Sequence, residues 1–333
     1  MKDNEKNDVI YVPAKPLDDP KSGYAGFNPG ISVLPEGFKF QEDRLPLPCD
    51  MVCEQDAAIK TREGIILYAD IYRPTGDEKV PAIVAWGSFG KRGNALNFPD
   101  RSEMPNYIPN KEEPKGSSKR PRTEMIKRRE LTGLQAHAGE DPAEWIPHGY
   151  AIVNVDPRGV YYSEGDMQFF GHKNGKDAYD VIEWLAEQPW CTGKIGTSGN
   201  HWYGIEQWFI AQEQPPHLAA IHPAECHGDF YRDEIVRGGI PRLDWVATRN
   251  RCGRGRIEDI VEMSVKYPLM NAYWEEKCVQ FEKINVPVYL TASFTQWNHS
   301  RGPFDGFNRL SSEKNGCVFI MDLSSLITGV RKT

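Results

Sequence analysis

Short apolar segments alternate with amphipathic ones over most of the chain, and this alternation restricts the fold more than any other feature. Residues 80–86, 150–156, 218–223 and 286–292 are apolar runs of the length expected for buried strands. Between the second and third runs, residues 176–188 carry apolar side chains at helical spacing. Repeated strand, helix and strand predict an α/β fold with a mostly parallel, doubly wound sheet and helices on both faces.

The composition supports a folded domain and excludes several partner classes. The chain has 333 residues, a hydrophobic fraction of 39% and a net charge of −7. The mild acidity argues against nucleic acid as a partner, and no apolar run approaches the ~18–20 residues of a membrane span. The polar N-terminus resembles no secretory signal, and seven scattered cysteines predict reduced thiols in a cytoplasmic protein. The oligomeric state stays open, a homo-oligomer included.

Changes in composition divide the chain into segments. Residues 1–56 are rich in Pro, Gly, Asp and Lys and predict an extended N-terminal arm on a core formed by residues 57–333. Within the core, residues 91–142 interrupt the strand–helix rhythm and are interpreted as a polar insertion. Its basic part, residues 111–130, is interpreted as a solvated loop rather than a lid or binding surface. Residues 228–283 are aromatic and mostly helical in pattern, which predicts a helical cap.

The segment 195–204 predicts a strand that turns sharply into a helix. Its sequence, Ile-Gly-Thr-Ser-Gly-Asn-His-Trp-Tyr-Gly, places glycines on both sides of a polar centre at His201. This is the layout of a nucleophile elbow, in which a strained turn raises the central side chain above the sheet. The next backbone N–H, that of Trp202, then lies at a helix N-terminus, where an oxyanion is stabilised.

Further segments around the elbow occur in a characteristic order. They are Asp156-Pro157-Arg158-Gly159 with Ser163-Glu164-Gly165, residues 177–193, Glu206-Gln207-Trp208, residues 219–223 and residues 229–232. Over about residues 57–320 the chain resembles the cocaine-esterase and X-prolyl dipeptidyl-peptidase branch of the α/β hydrolases, including its fungal polyketide-transferase relatives. The resemblance implies an α/β-hydrolase fold with a helical cap. It also implies hydrolysis or transfer of an acyl group on a small-molecule ester, thioester or amide, in secondary metabolism and without a cofactor.

The sequence departs from this family at the nucleophile and at the oxyanion hole. The family has Ser where this chain has His201, while Ser198 lies three residues earlier with its hydroxyl expected to point elsewhere. A Tyr phenol often serves the family's oxyanion hole, and the matching place reads Ser88-Phe89.

The acid and the base of the family's catalytic triad are also missing from their matched positions. The loop after residues 286–292 holds no carboxylate as far as His299, which resembles a His of the fungal relatives. The chain ends at Thr333, about where the family's last catalytic histidine is expected, and the family's C-terminal β-sandwich is expected to be absent. A Ser-His-Asp relay therefore cannot be assembled from the matched positions.

We therefore expect an unusual site in this fold. In the favoured hypothesis His201 is a base or nucleophile, His299 assists it and Ser198 is a further catalytic candidate. The oxyanion and pocket residues are then Trp202, Phe89, Ser88 and Asn200. One alternative is a catalytically silent relative that acts as a binding protein.

A metal-dependent lyase or hydrolase is the second alternative. Its candidate ligands are His222, Glu225 and His227, but their spacing matches no established metal motif, so a polar loop is favoured and no metal is expected. Asp156 and Arg158 are expected to brace the loop above the sheet rather than to react.

Overall fold

The strands and helices follow the alternation seen in the sequence. The computed structural model describes residues 8–20, 22–92, 131–294 and 299–319. The strands are β1 (Tyr11–Pro13), β2 (Gly30–Leu34), β3 (Met51–Lys60), β4 (Ile66–Pro74), β5 (Val80–Trp86), β6 (Ala151–Asp156), β7 (Cys191–Asn200), β8 (Leu218–Ala224), β9 (Val236–Arg237), β10 (Ile240–Pro241), β11 (Arg256–Glu258), β12 (Val288–Ser293) and β13 (Lys314–Phe319). The α-helices are α1 (Pro142–Trp145), α2 (His172–Ala186), α3 (Trp202–Gln212), α4 (Ile260–Lys266), α5 (Ala272–Glu275) and α6 (Arg301–Arg309).

Nine of these strands form one sheet in the order β13-β12-β8-β7-β5-β6-β4-β3-β2. The six strands from β13 to β6 are parallel, and β4, β3 and β2 are antiparallel to their neighbours. The predicted α/β-hydrolase class is confirmed. Because the chain adds β6 on one side of β5 and β7 on the other, the strand order reverses at β5. Such a reversal places the ligand crevice at the carboxyl ends of β5 and β7.

The middle of the sheet is fully enclosed. All six residues of β6 are buried, as expected for a central parallel strand covered on both faces. Residues 203–212 of α3 are buried as well, including Trp208 and Phe209 at 0% exposure. A helix buried around its whole circumference is held rigidly, so the turn that precedes α3 is fixed by the core.

The sheet begins earlier than the sequence predicts. β2 and the first half of β3 lie within residues 1–56 and are paired with the sheet, so the boundary at 56 is wrong. A β-bulge between Glu54 and Ala57 interrupts the pairing of β3, and Asp56 has a φ of 51° there. The bulge breaks the two-residue alternation that identifies a strand, which explains the error. Further toward the N-terminus, β1 is an extended segment paired with β11.

The predicted polar insertion is buried at both of its described ends. Lys91 is buried and forms ion pairs with Asp56 and Asp70, and the run 132–136 is buried as well. The two described ends of the predicted insertion are therefore part of the packed protein, because their polar groups are paired inside it. The basic stretch 111–130 lies outside the described residues.

The region predicted as a helical cap consists of short elements. It contains a π-helical turn at Phe230–Ile235, a 3-10 helix at Leu243–Asn250, the hairpin β9–β10 and the short helices α4 and α5. Trp245 and Trp274 are buried beneath these turns. Aromatic packing, rather than long helices, therefore holds this region on the sheet.

Candidate functional site

His201 occupies the sharp turn between β7 and α3. Its φ of 58° and ψ of −119° lie in a region that residues with a Cβ rarely adopt, and such a conformation costs about 1–3 kcal/mol. The backbone is held on both sides, since the His201 N–H donates to the Ala224 carbonyl (2.9 Å) and the His201 carbonyl accepts from the Ile205 N–H (2.9 Å). The strain and the fixed backbone give the turn the geometry of a nucleophile elbow.

Two glycines make the sharp turn sterically possible. A Cβ at Gly199, where φ is 150°, would lie 2.5 Å from the Cβ of Tyr203. A Cβ at Gly204 would lie 2.4 Å from the carbonyl oxygen of Ala224 in β8. The glycine pattern in the sequence therefore reflects close packing of α3 against the sheet.

Two further histidines lie beside His201. The ring centroids of His201 and His299 are 4.7 Å apart and nearly perpendicular, and those of His299 and His227 are 6.5 Å apart. His227 and His299 are each 1% exposed, and none of their ring nitrogens has a hydrogen-bond partner within the described part of the chain. The structure therefore brings together His201 and His299, as the sequence predicts, and adds His227.

These imidazoles are neutral at pH 7. Burial, with the neighbouring His137 and Arg242 charges, lowers the pKa of His201 to about 4. Burial and the neighbouring His201 lower the pKa of His227 to about 3, and burial holds the pKa of His299 well below its usual range. A neutral imidazole has a nitrogen lone pair that accepts a proton or attacks a carbonyl carbon.

The residues that the sequence predicts for an oxyanion site lie in the turn after β5 and at the start of α3. Trp202 is the first residue of α3, where backbone N–H groups have no partner within the helix. The Phe89 ring lies 4.8 Å from the Trp202 ring and is stacked at 4.6 Å on His137. The Asp156 carboxylate accepts from the Lys91 N–H (2.6 Å), which fixes the end of the turn after β5.

Buried carboxylates support this side of the site. Burial raises the pKa of Asp156 to about 7. Arg158 donates to both carboxylate oxygens of Asp177 at 2.7 Å and pairs with Glu63 at 2.8 Å. The pair with Asp177 ties the loop after β6 to α2 and gives Arg158 a structural position.

Ser198 belongs to a separate hydrogen-bond chain. Its hydroxyl is bonded to the Glu140 carboxylate and lies 3.2 Å from Nδ1 of His222, whose Nε2 lies 3.0 Å from the Thr291 hydroxyl. The preceding residue, Thr197, is bonded to Gln207 of α3. Because neighbouring side chains of a strand point to opposite faces, Ser198 lies on the face away from α3. The structure does not bring Ser198 together with His201.

The Asn200 side chain is held at the end of β7 by a hydrogen bond. Its side-chain amide donates to the Glu225 carboxylate at 3.2 Å, so it ties the end of β7 to the loop after β8. The Asn200 amide is thus held by a buried acceptor, and its place in the pocket stays a prediction.

The candidate metal ligands are dispersed as well. His222 is engaged with Ser198, Glu225 with Asn200, and His227 stacks near Phe230. Within residues 8–20, 22–92, 131–294 and 299–319, no three ligand-type side chains are arranged to hold a metal ion. Neighbouring residues at the end of β8 point in different directions, which separates these groups.

The match to a protein family covers the elbow. Residues 63–251 match the family described as X-Pro dipeptidyl-peptidase (S15 family), which is more than half of the chain. The chain belongs to the S15 family. The matched region includes His201 and Trp202 but ends before β12 and His299.

Relatives of this S15 chain include esterases and peptidases. Cocaine esterase from a Rhodococcus species is 27% identical over 175 residues, which are 52% of this chain and 24% of that protein. The structure of a CocE/NonD family hydrolase from Staphylococcus aureus is 27% identical, with a TM-score of 0.70 over 87% of this chain and 49% of that one. An alpha-amino acid ester hydrolase, 16% identical with a TM-score of 0.55 over 78% of this chain and 45% of that one, shares the fold.

This S15 chain spans about a quarter of the curated relative and about half of the solved one. Among the described residues, no helix is long and apolar enough to cross a membrane. The structure shows six cysteines as free thiols: Cys49, Cys53, Cys191, Cys226, Cys252 and Cys278.

Sequence reasoning missed one side chain at the site. Arg251 places its guanidinium 4.1 Å above the centre of the Phe89 ring and 5.1 Å from that of the Trp202 ring. Its Nη1 donates to the Ser88 carbonyl at 3.2 Å. In the sequence it is one of several arginines between residues 242 and 256, and no local signal distinguishes it.

Proposed function

We propose that this S15-family chain cleaves or transfers the acyl group of a small-molecule ester, thioester or amide, with His201 as the reactive residue. The observation that carries the proposal is a neutral imidazole on a strained elbow, at the place where the fold raises its nucleophile, beside the first N–H groups of α3. A role in secondary metabolism and an acyl acceptor other than water stay predictions from the family resemblance.

In the proposed reaction, His201 accepts a proton from water or from an acceptor hydroxyl as its oxygen bonds to the substrate carbonyl carbon. The carbonyl oxygen becomes negative and is stabilised by the Trp202 N–H and the N-terminus of α3. When the tetrahedral intermediate collapses, the bond to the leaving group breaks. The leaving alkoxide, thiolate or amine takes the proton from the imidazolium.

His299 assists by position. Its ring lies edge-to-face with His201 at 4.7 Å; the His299 ring is buried and His201 is partly exposed. This contact restricts the rotation of the His201 ring, which orients its lone pair. Because the low pKa makes His201 a weak base, we expect slow turnover and a preference for activated esters with good leaving groups.

The first experiment measures hydrolysis of p-nitrophenyl acetate and of short-chain acyl thioesters by the full chain. We expect His201→Ala to lose at least 100-fold in kcat/KM, within the range of general-base contributions. The matched control is His217→Ala, since His217 is half-exposed and paired with Glu183 on the surface. Undiminished turnover by His201→Ala would exclude the proposed role.

Two further measurements separate the competing hypotheses. A serine-directed fluorophosphonate is expected to leave the wild-type protein unlabelled, and strong labelling of Ser198 would identify a different nucleophile. If the wild type turns over no acyl compound and His201→Ser creates no esterase activity, the protein is a catalytically silent relative.

A further inference from the structure

Arg251 lies between the two walls of the proposed oxyanion site. One wall is the turn after β5, which contributes the Phe89 ring and the Ser88 carbonyl, and the other is Trp202 at the start of α3. A guanidinium placed on aromatic faces is held in a fixed plane, and its N–H groups point outward along the edges of that plane. The cation thus lies beside the turn after β5 and the start of α3, at the carboxyl ends of β5 and β7.

Arg251 differs from the arginines around it in having no acidic partner. Arg249 pairs with Asp259, Arg256 with Asp166, and Arg242 with Asp244. Within the described part of the chain, Arg251 has no carboxylate within ion-pair distance, and the Ser88 carbonyl is its hydrogen-bond acceptor. Most of the five N–H groups of its guanidinium are therefore not used by the described protein residues.

The surroundings of Arg251 are unfavourable for a cation whose only role is structural. Burial lowers the pKa of Arg251, so the surroundings disfavour its charge. The same charge contributes to the low pKa of His137, which adjoins Phe89. A partly buried cation without a counter-charge is costly unless an anion completes the site.

We infer that Arg251 binds a carboxylate of the substrate, so that the preferred substrate of the proposed reaction is an acyl compound bearing a second, anionic group. This inference rests on the proposed function and specifies its substrate class. A guanidinium edge matches the two oxygens of a carboxylate, whereas the single oxyanion of the reaction already faces the Trp202 N–H. The charge of Arg251 thus selects which ester enters the crevice.

A binding experiment tests this inference without any turnover. Glutarate and glutaramide have the same carbon skeleton and differ in charge, and isothermal titration measures the affinity of the full chain for each. We expect the wild type to bind glutarate at least about 10-fold more tightly than glutaramide, as for charge-assisted hydrogen bonds. Arg251→Gln should remove the difference, and Arg251→Lys should keep only part of it because the planar edge is lost.

The matched control is Arg254→Gln. Arg254 also donates to a backbone carbonyl (Tyr162, 3.0 Å) and also lies over an aromatic ring, but it is exposed at the surface. We expect this variant to keep the preference for glutarate. Equal affinities of the wild type for glutarate and glutaramide would overturn the inference without any variant. An unchanged preference in a folded Arg251→Gln protein would overturn it too.

A kinetic comparison distinguishes a substrate carboxylate from the reaction's own oxyanion. For monomethyl glutarate, Arg251→Gln should lower kcat/KM at least about 10-fold, mainly through KM, and the rate for dimethyl glutarate should change little. An equal loss for both esters would mean that Arg251 contacts the oxyanion, and the inference would be wrong. Selective binding of glutarate without turnover of any ester would refute the proposed function while supporting the anion site.

Discussion

The strained turn at His201 predicts an unusual order of stability for two substitutions. Within a helix or strand, a protein with Gly at a given position is less stable than one with Ala by roughly 0.5–1 kcal/mol, because Gly loses more conformational freedom on folding. At the φ of 58° and ψ of −119° of His201, a Cβ costs about 1–3 kcal/mol instead. We therefore expect His201→Gly to be more stable than His201→Ala by about 1–2 kcal/mol.

Urea unfolding followed by circular dichroism measures this difference, and both variants lose the same imidazole contacts. The control pair is Lys176→Gly and Lys176→Ala, at an exposed position within α2, where Ala should be the more stable by about 1 kcal/mol. If His201→Ala equals or exceeds His201→Gly in stability, the turn is not strained and the elbow geometry is wrong.

Three further substitutions test the packing and charges around the site. Gly204→Ala should lower the free energy of unfolding by about 1–3 kcal/mol, because the added Cβ would lie 2.4 Å from a β8 carbonyl oxygen. The control in the same urea assay is Gly196→Ala, whose Cβ would lie 3.6 Å from its nearest neighbour. Glu206 is buried in α3 and burial raises its pKa to about 8, so the stability of the wild type falls as pH rises from about 4.5, the ordinary value, to about 8. The free energy of unfolding of Glu206→Gln should therefore increase relative to that of the wild type between pH 5 and 9, by up to about 5 kcal/mol. Urea unfolding of both proteins at each pH measures this difference. Asp177→Asn should cost about 3 kcal/mol, since it leaves the buried Arg158 without its main partner, and an unchanged urea midpoint would contradict this.

The parts of the fold that depend on local pattern could be predicted from the sequence. β5, β6 and β8 were predicted to within about a residue because they are apolar runs with turn residues on both sides. The elbow could be predicted because the sequence shows Gly199 and Gly204, at positions where a side chain would clash with Tyr203 or with Ala224. The resemblance to a family also placed His299 near His201, which periodicity alone does not do.

What could not be predicted depends on contacts between distant residues. Arg251 is 163 residues from Ser88 along the chain. The sequence around it does not distinguish it from the other arginines nearby. The bond between Ser198 and Glu140 depends on how the segment before α1 packs on the sheet. The extra length of β3 was hidden by a bulge at Asp56, whose side chain accepts from Lys91 inside the protein.

The most direct test of the central claim is the pH dependence of kcat/KM for p-nitrophenyl acetate between pH 3.5 and 8, with folding checked by circular dichroism. Because burial lowers the pKa of His201 to about 4, we predict a rate that rises through pH 4 and stays level to pH 8. His201→Ala should lose this activity throughout. A rise near pH 6.5, the ordinary histidine value, or an unchanged profile in His201→Ala would contradict the assignment of His201 as the reactive residue.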